Sequence, residues 1–396
     1  MVIITAAVLA SNVTAGTIAP GIEDLLSGKE DHEIVKVLVV MQDRPDVRTL
    51  DKNLVLQGVL RASRHRSVVQ TLQRAAKDSQ RDLLYTLGTA KAAGGVVGYV
   101  PHWIVNGIVL TATVATVRDI ALRTDVERIE PDLVPELIEP VSVKEIPMGM
   151  HRQSADKDAA GFVTPGLPAI NADRVWHELG IDGTGAIVAN MDSGVDVNHP
   201  MLTHRWRGNF APAAECWQDH GDVGSPDVPV DVYGHGTHVM GTITGVGSAD
   251  TVGVAPGATW IATNAIWSTS ETLDNQVIAA FEWLADPDGD PTTGDDVPDV
   301  VQNSWGVNPS SGVYLDCDTR WYDVIDNCEA AGVVVLWSAG NEGPGPGSLR
   351  TPPNRADTPT SSFSIGSTRT SFPYQLSSFS ARGPSQCGGP YAIKPE

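Results

Sequence analysis

The chain has 396 residues, 41% of them apolar and 6% aromatic, which leaves room for two domains with buried cores and argues against disorder. Its 27 basic and 48 acidic residues give a formal net charge of −21, and the imbalance is uneven: residues 1–166 hold 18 basic and 20 acidic side chains, residues 167–396 hold 9 and 28. So acidic a second part repels phosphate backbones and anionic lipid, which argues against nucleic acid or a membrane as its partner.

In chain order, the first apolar stretch is residues 2–10, too short to span a bilayer and without the basic residues that precede a signal peptide's apolar core. With the small residues of Val13-Thr14-Ala15 behind it, residues 1–32 read as an N-terminal segment containing a clipped secretory signal. A valine-rich strand follows at residues 34–41, closed by Asp43-Arg44-Pro45-Asp46. Apolar residues then recur at helical spacing over residues 50–92, until Gly94-Gly95 stops the pattern. Strands at 96–100 and 103–110, an amphipathic helix at 114–122 and a strand at 126–129 complete a small α+β domain, residues 33–140.

Residues 141–166 carry Pro147, Gly149, a polar run from His151 to Ser154 and the breakers Pro165-Gly166, with no sustained period. They read as a linker open to cleavage. From 167 to 396 apolar strands alternate with helical stretches, the pattern of a parallel α/β sheet covered by helices on both faces. One strand, 187–191, ends at Asp192, and another, 333–337, ends just before Ser338-Ala339-Gly340-Asn341. Chemistry in open α/β sheets collects at such carboxyl ends.

Three motifs line up there: Asp192-Ser193-Gly194-Val195-Asp196 after one buried strand, Gly234-His235-Gly236-Thr237-His238 opening a helix, and Ala339-Gly340-Asn341-Glu342-Gly343 after another buried strand. A serine hydrolase needs a base for the nucleophile's proton, a carboxylate to hold that base in the right tautomer, and donors facing the developing oxyanion. His235, Asp192 and Asn341 can fill these roles. The competing reading makes His235 and His238, with an aspartate, a zinc site.

With Ile170-Asn171-Ala172, Asn198-His199-Pro200, Gly253-Val254-Ala255-Pro256-Gly257-Ala258, Asn303-Ser304-Trp305-Gly306 and Ser377-Ser378-Phe379-Ser380 in the same order, the chain resembles the subtilisin-like serine peptidases from about Ile170 onward. That resemblance implies a subtilisin-like parallel sheet and hydrolysis of protein or peptide substrates through an Asp-His-Ser triad. It assigns Asp192 and His235 to the triad, Asn341 to the oxyanion hole, His238 to a structural place, and Ser304, Trp305, Gly306 and Gly340 to substrate binding. Residues 33–140 resemble the family's propeptide, notably through Trp103-Ile104-Val105-Asn106-Gly107 and the run from Val126 to Asp132. They are expected to act as an intramolecular inhibitor of a secreted zymogen.

The family's nucleophile sits in a Gly-Thr-Ser-Met-Ala-type motif, and no such motif occurs in the 396 residues. The expectation is a chain truncated before the catalytic serine, with the sheet incomplete at its C-terminus and the chain as given inactive. The alternative is a non-enzymatic peptide-binding or propeptide-like regulatory protein on the same fold. No cofactor is required. The acidic run Asp286-Pro287-Asp288-Gly289-Asp290, with Asp295 and Asp296, invites a structural calcium, although Val297 stands where an EF-hand needs glutamate, and a solvated acidic loop is the competing reading. Cys216, Cys317, Cys328 and Cys387 lack zinc-type spacing and permit three disulfide pairings.

Overall fold

A computed structural model describes residues 17–18, 20–132, 163–266, 273–307, 316–370 and 372–396. The signal-like residues 1–16 and the greater part of the expected linker, 141–162, lie outside the described residues. The chain forms two compact units, one of Met1–Pro45 and Leu72–Asp132, the other of Asp46–Thr71 and Leu133–Glu396.

In chain order the N-terminal elements are β1 (Thr17–Ile18), α1 (Pro20–Leu26), β2 (Ile34–Met41), α2 (Val47–Leu56), α3 (Arg61–Ser79), α4 (Arg81–Ala92), β3 (Val96–His102), β4 (Gly107–Thr113), α5 (Val114–Ala121) and β5 (Val126–Pro131). The first unit's sheet has the order β1-β5-β2-β4-β3, and its β2, β3, β4 and β5 pair antiparallel. Side chains alternate across a strand, so Val35, Val37, Val39 and Met41 of β2 all face one core. Val114, Val117 and Ile120 of α5 meet that core at helical spacing, and Thr113 caps the helix by accepting from Thr116 N.

Two expectations are corrected here. The helical run at 50–92 is three helices, interrupted after α2, where Gly58 takes a left-handed conformation (φ 72°), and again at Gln80 between α3 and α4. The expected strand at 103–110 begins only at Gly107. Asn106 before it has φ 46°, and its buried side chain accepts from Gln80 Nε2 at 2.9 Å and donates to Ser79 Oγ at 2.8 Å. A side chain committed to closing a turn cannot extend a strand ladder.

The second unit continues with α6 (Gly166–Ala169), α7 (Ala172–Leu179), β6 (Ile187–Met191), β7 (Trp217–Gln218), α8 (His235–Thr244), β8 (Thr259–Thr263), α9 (Leu273–Ala285), β9 (Val300–Asn303), α10 (Tyr322–Ala330), β10 (Val334–Ser338) and β11 (Phe363–Ile365). Among the described residues its six strands are all parallel, in the order β11-β10-β9-β6-β8-β7. From β6 the chain goes first to one side, through β7 and β8, and then to the other, through β9, β10 and β11. That reversal opens a crevice at the carboxyl end of β6, where Asp192 follows. Val188, Trp217, Met240, Trp260 and Ala262 share a buried core beneath it.

Residues 46–71 pack within this unit near the amino ends of its strands. Arg48 donates to Asp326 at 2.9 Å, Arg61 to Asp299 at 2.5 Å and to Pro298 O at 2.9 Å, and the His65 Nδ1 lies 3.1 Å from Ala331 O. These contacts sit at the end of the sheet opposite Asp192. Cys317 and Cys387 form the disulfide, whereas Cys216 and Cys328 are free and buried.

Candidate active site

Asp192 leaves β6 almost fully buried, with 3% of its surface exposed. Its Oδ1 accepts from Ser193 N at 2.7 Å and lies 2.7 Å from His235 Nδ1. His235 is the first residue of α8, brought against the β6 turn because residue 236 is glycine: a Cβ there would strike the Gly194 carbonyl oxygen and lie 3.1 Å from Asp192 Cβ. Asn190 Nδ2 adds a 3.0 Å bond to Gly236 O.

With Nδ1–H donated to the carboxylate, Nε2 of His235 is left as the acceptor that can take a proton. The hydrogen bond to Asp192 raises the imidazole pKa above its ordinary 6.5, burial opposes this, and the charges of Asp192 and Asp231 add to the rise. The arrangement suits a general base held in one tautomer and stabilised once it is protonated.

His238, one turn further along α8, is exposed. Among the described residues, the only three His, Cys, Asp or Glu groups whose ligand atoms fall within 4.8 Å of one another are Asp316, Cys317 and Cys387, and both cysteines are used in the disulfide. Neither histidine of the pair therefore has a metal-ligand set around it. The acidic loop after α9 uses its carboxylates on itself: Asp288 accepts from Asp290 N and Thr293 Oγ1, Asp290 from Thr292 N and Oγ1, and Asp296 from Asp288 N. The other oxygen of Asp296, Oδ1, is buried without a hydrogen-bond partner, and among the described residues no three carboxylates of this loop bring ligand atoms within 4.8 Å of one another.

The other expected site residues leave the same edge of the sheet. Met191 of β6 is in register with Asn303 of β9, and Asn303 with Trp337 of β10, so the segments that follow all three strands emerge side by side. Ser304 is half-buried and accepts from Gln302 Nε2 at 3.1 Å; Gly306 is buried. The Trp305 ring is in the core, edge-on to Trp321 and Trp337 at centroid distances of 5.3 and 4.9 Å, so backbone rather than indole is what this segment can offer a ligand. Gly340 has φ 107°, a conformation that favours glycine, and turns the chain so that Asn341 is partly exposed. Asn341 N donates to Glu342 Oε2 at 2.9 Å, and Glu342 is itself paired with Arg350. Glu342, Arg350 and Asp231 were not singled out from the sequence. Of these only Asp231 carried a readable signal, as an acidic residue just ahead of a helix start.

A buried carboxylate with an imidazole tied to it, at the carboxyl end of a parallel sheet covered by helices, places the chain among α/β proteins whose site lies at the strand ends. Residues 183–396 match the family model described as the subtilase family, and the chain belongs to that family of serine peptidases. It is 35% identical over 347 residues to Bacillopeptidase F of Bacillus subtilis (strain 168), covering 83% of this chain and 22% of that protein. To Subtilisin E of the same organism it is 32% identical over 226 residues, covering 57% of this chain and 51% of the relative. The chain thus spans about a fifth of the one and about half of the other. A solved structure titled S41 Psychrophilic Protease aligns with a TM-score of 0.41 at 23% identity, over 56% of this chain and 68% of that one. No helix among the described residues is long and apolar enough to cross a membrane.

Proposed function

We propose that these residues are the precursor portion of an exported serine endopeptidase. His235 is its general base, Asp192 holds and charges that base, and the side-chain amide of Asn341 donates to the oxyanion. Ser304, Trp305 and Gly306, with Gly340, present backbone to an extended substrate. Residues 33–140 are an intramolecular inhibitor, removed by cleavage between about 133 and 168. The single observation that supports the reading is the 2.7 Å contact between His235 Nδ1 and Asp192 Oδ1 at the end of β6.

The nucleophile belongs to a Gly-Thr-Ser-Met-Ala-type motif that the 396 residues do not contain. In subtilisin, itself of this family, loss of the nucleophile costs about 10⁶ in turnover, on the order of 8 kcal/mol. These residues alone are therefore inert on this reading. Hydrolysis of a fluorogenic peptide by residues 1–396, and by the same chain extended with a segment bearing the motif, tests the proposal. Activity in the extended chain alone supports it. An extended chain that binds peptide without cleaving it turns the reading toward a peptide-binding protein on the same fold.

A further inference from the structure

Asp192 and His235 are 43 positions apart on separate elements, and one contact between two side chains does not hold two elements in register. We infer that Asp231 is a positioning residue for this pair, its carboxylate tying the turn that carries Asp192 to the first turn of the helix that carries His235. The inference rests on the general-base role proposed for His235.

The geometry is a set of hydrogen bonds converging on one side chain. Asp231 Oδ1 accepts from Tyr233 N at 3.0 Å, Gly234 N at 2.8 Å and Ser193 Oγ at 2.9 Å. Its Oδ2 accepts from Thr237 N at 2.8 Å and Thr237 Oγ1 at 2.6 Å. Both hydroxyls then reach across to the other element. Ser193 Oγ, beside Asp192, accepts from Gly236 N of α8 at 2.9 Å, and Thr237 Oγ1 of α8 accepts from Asp196 N at 2.9 Å. Each hydroxyl has one proton and spends it on Asp231, which leaves its lone pairs for the opposite backbone N–H. The two elements are thus cross-linked twice, in opposite directions, with Asp231 as the common acceptor.

Only an ionised carboxylate can receive all five donors. Burial pushes the Asp231 carboxyl up, but the bonds from Thr237, Gly234 and Tyr233 outweigh it and hold the group below the ordinary 3.8. An asparagine of the same shape would point an NH₂ group at donors in either orientation, breaking at least two contacts. The charged groups acting on His235 are Asp192 and Asp231, so removing the second charge also lowers the imidazole's proton affinity.

The test uses residues 1–396 as they stand and does not depend on turnover. With ¹⁵N-labelled histidine, the His235 Nδ1–H resonance and the His235 titration midpoint are followed by NMR in wild type, Asp192→Asn, Asp231→Asn, Thr237→Val and Thr237→Ser. In wild type a low-field Nδ1–H line and a midpoint above 6.5 are expected; Asp192→Asn should remove the line. Asp231→Asn should lower the midpoint and broaden or abolish the line with Asp192 still present. Thr237→Val should broaden it, and Thr237→Ser, which keeps the hydroxyl, should restore it. A folded Asp231→Asn protein with the wild-type line and midpoint overturns the inference. If that variant does not fold, Thr237→Val decides, and an unchanged line there overturns it equally. An Asp192→Asn protein that keeps the line defeats the pairing of Asp192 with His235 itself, a separate outcome.

Discussion

His235 and His238 lie one helical turn apart, yet only the first touches a buried carboxylate. In the extended, serine-bearing enzyme, His235→Ala should abolish turnover of a peptide substrate while peptide binding stays nearly intact, and His238→Ala should keep most of the activity. Asn341→Ala should lower turnover by about 10²–10³ with little change in KM, because an oxyanion donor acts mainly on the transition state; that size is the one known for subtilisin. His235 and His65 set opposite trends in stability with pH. The folded-state pKa of His235 is raised, so its contribution is fully present below 6.5 and is lost as pH rises through the folded value. His65 is the reverse. Burial disfavours its charged form and lowers its pKa, so its contribution is present above 6.5 and is lost as pH falls through the folded value. Urea unfolding at a series of pH values should show wild type losing stability relative to His65→Gln below pH 6.5. Asp192 and Asn341 stood out in the sequence because each follows an apolar run, and His235 because its motif opens a helix; the fold brings Asp192 and His235 into contact. Asp231 could be read as a turn residue ahead of the helix, but its link to the Asp192 turn could not, because Ser193 lies 38 positions away.

Helices and strands were legible where their own side chains decide them. The apolar run Ile187–Met191 is a strand with the expected bounds, and α5 begins at the expected Val114 with its apolar face in the core. Where a turn is closed by distant partners, local pattern failed: Asn106 depends on Ser79 and Gln80, well over twenty residues earlier. The approach of α8 to β6 depends on a missing side chain. Gly236→Ala should destabilise the chain by about 1–3 kcal/mol, because the added methyl meets the rigid Gly194 carbonyl and the Asp192 side chain, and it should weaken the His235 contact in the same step. Differential unfolding of the two proteins reads this directly. The disulfide between Cys317 and Cys387 closes a separation of 70 residues across the second unit. Chain-entropy arguments give such a loop about 4 kcal/mol, so Cys387→Ser should lower unfolding stability by up to that amount, and a reductant should destabilise wild type but not the variant. Sequence left three two-bond pairings open; the folded positions form one bond, Cys317–Cys387, and leave Cys216 and Cys328 as buried thiols.

At the scale of the whole molecule, the charge imbalance runs with chain position: nearly all the excess acid lies beyond residue 166. Basic side chains of residues 46–71 find acidic partners in the second unit, with Arg48 on Asp326 and Arg61 on Asp299, and this stretch packs there although sequence assigns it to the N-terminal domain. Such a split was not legible, because helical periodicity shows that a face is apolar without showing which core it will join. If the N-terminal residues are an inhibitor, residues 34–139 supplied in trans should inhibit the processed, serine-bearing enzyme at micromolar concentration, and no inhibition would count against that role. The central claim is that His235, oriented by Asp192, is the base that activates a serine. Its most direct test is the rate at which a serine-directed fluorophosphonate labels the extended chain as a function of pH. The rate should rise as His235 loses its proton, above pH 6.5, and labelling should fall to background in His235→Ala; labelling that proceeds at the wild-type rate without His235 would contradict the account.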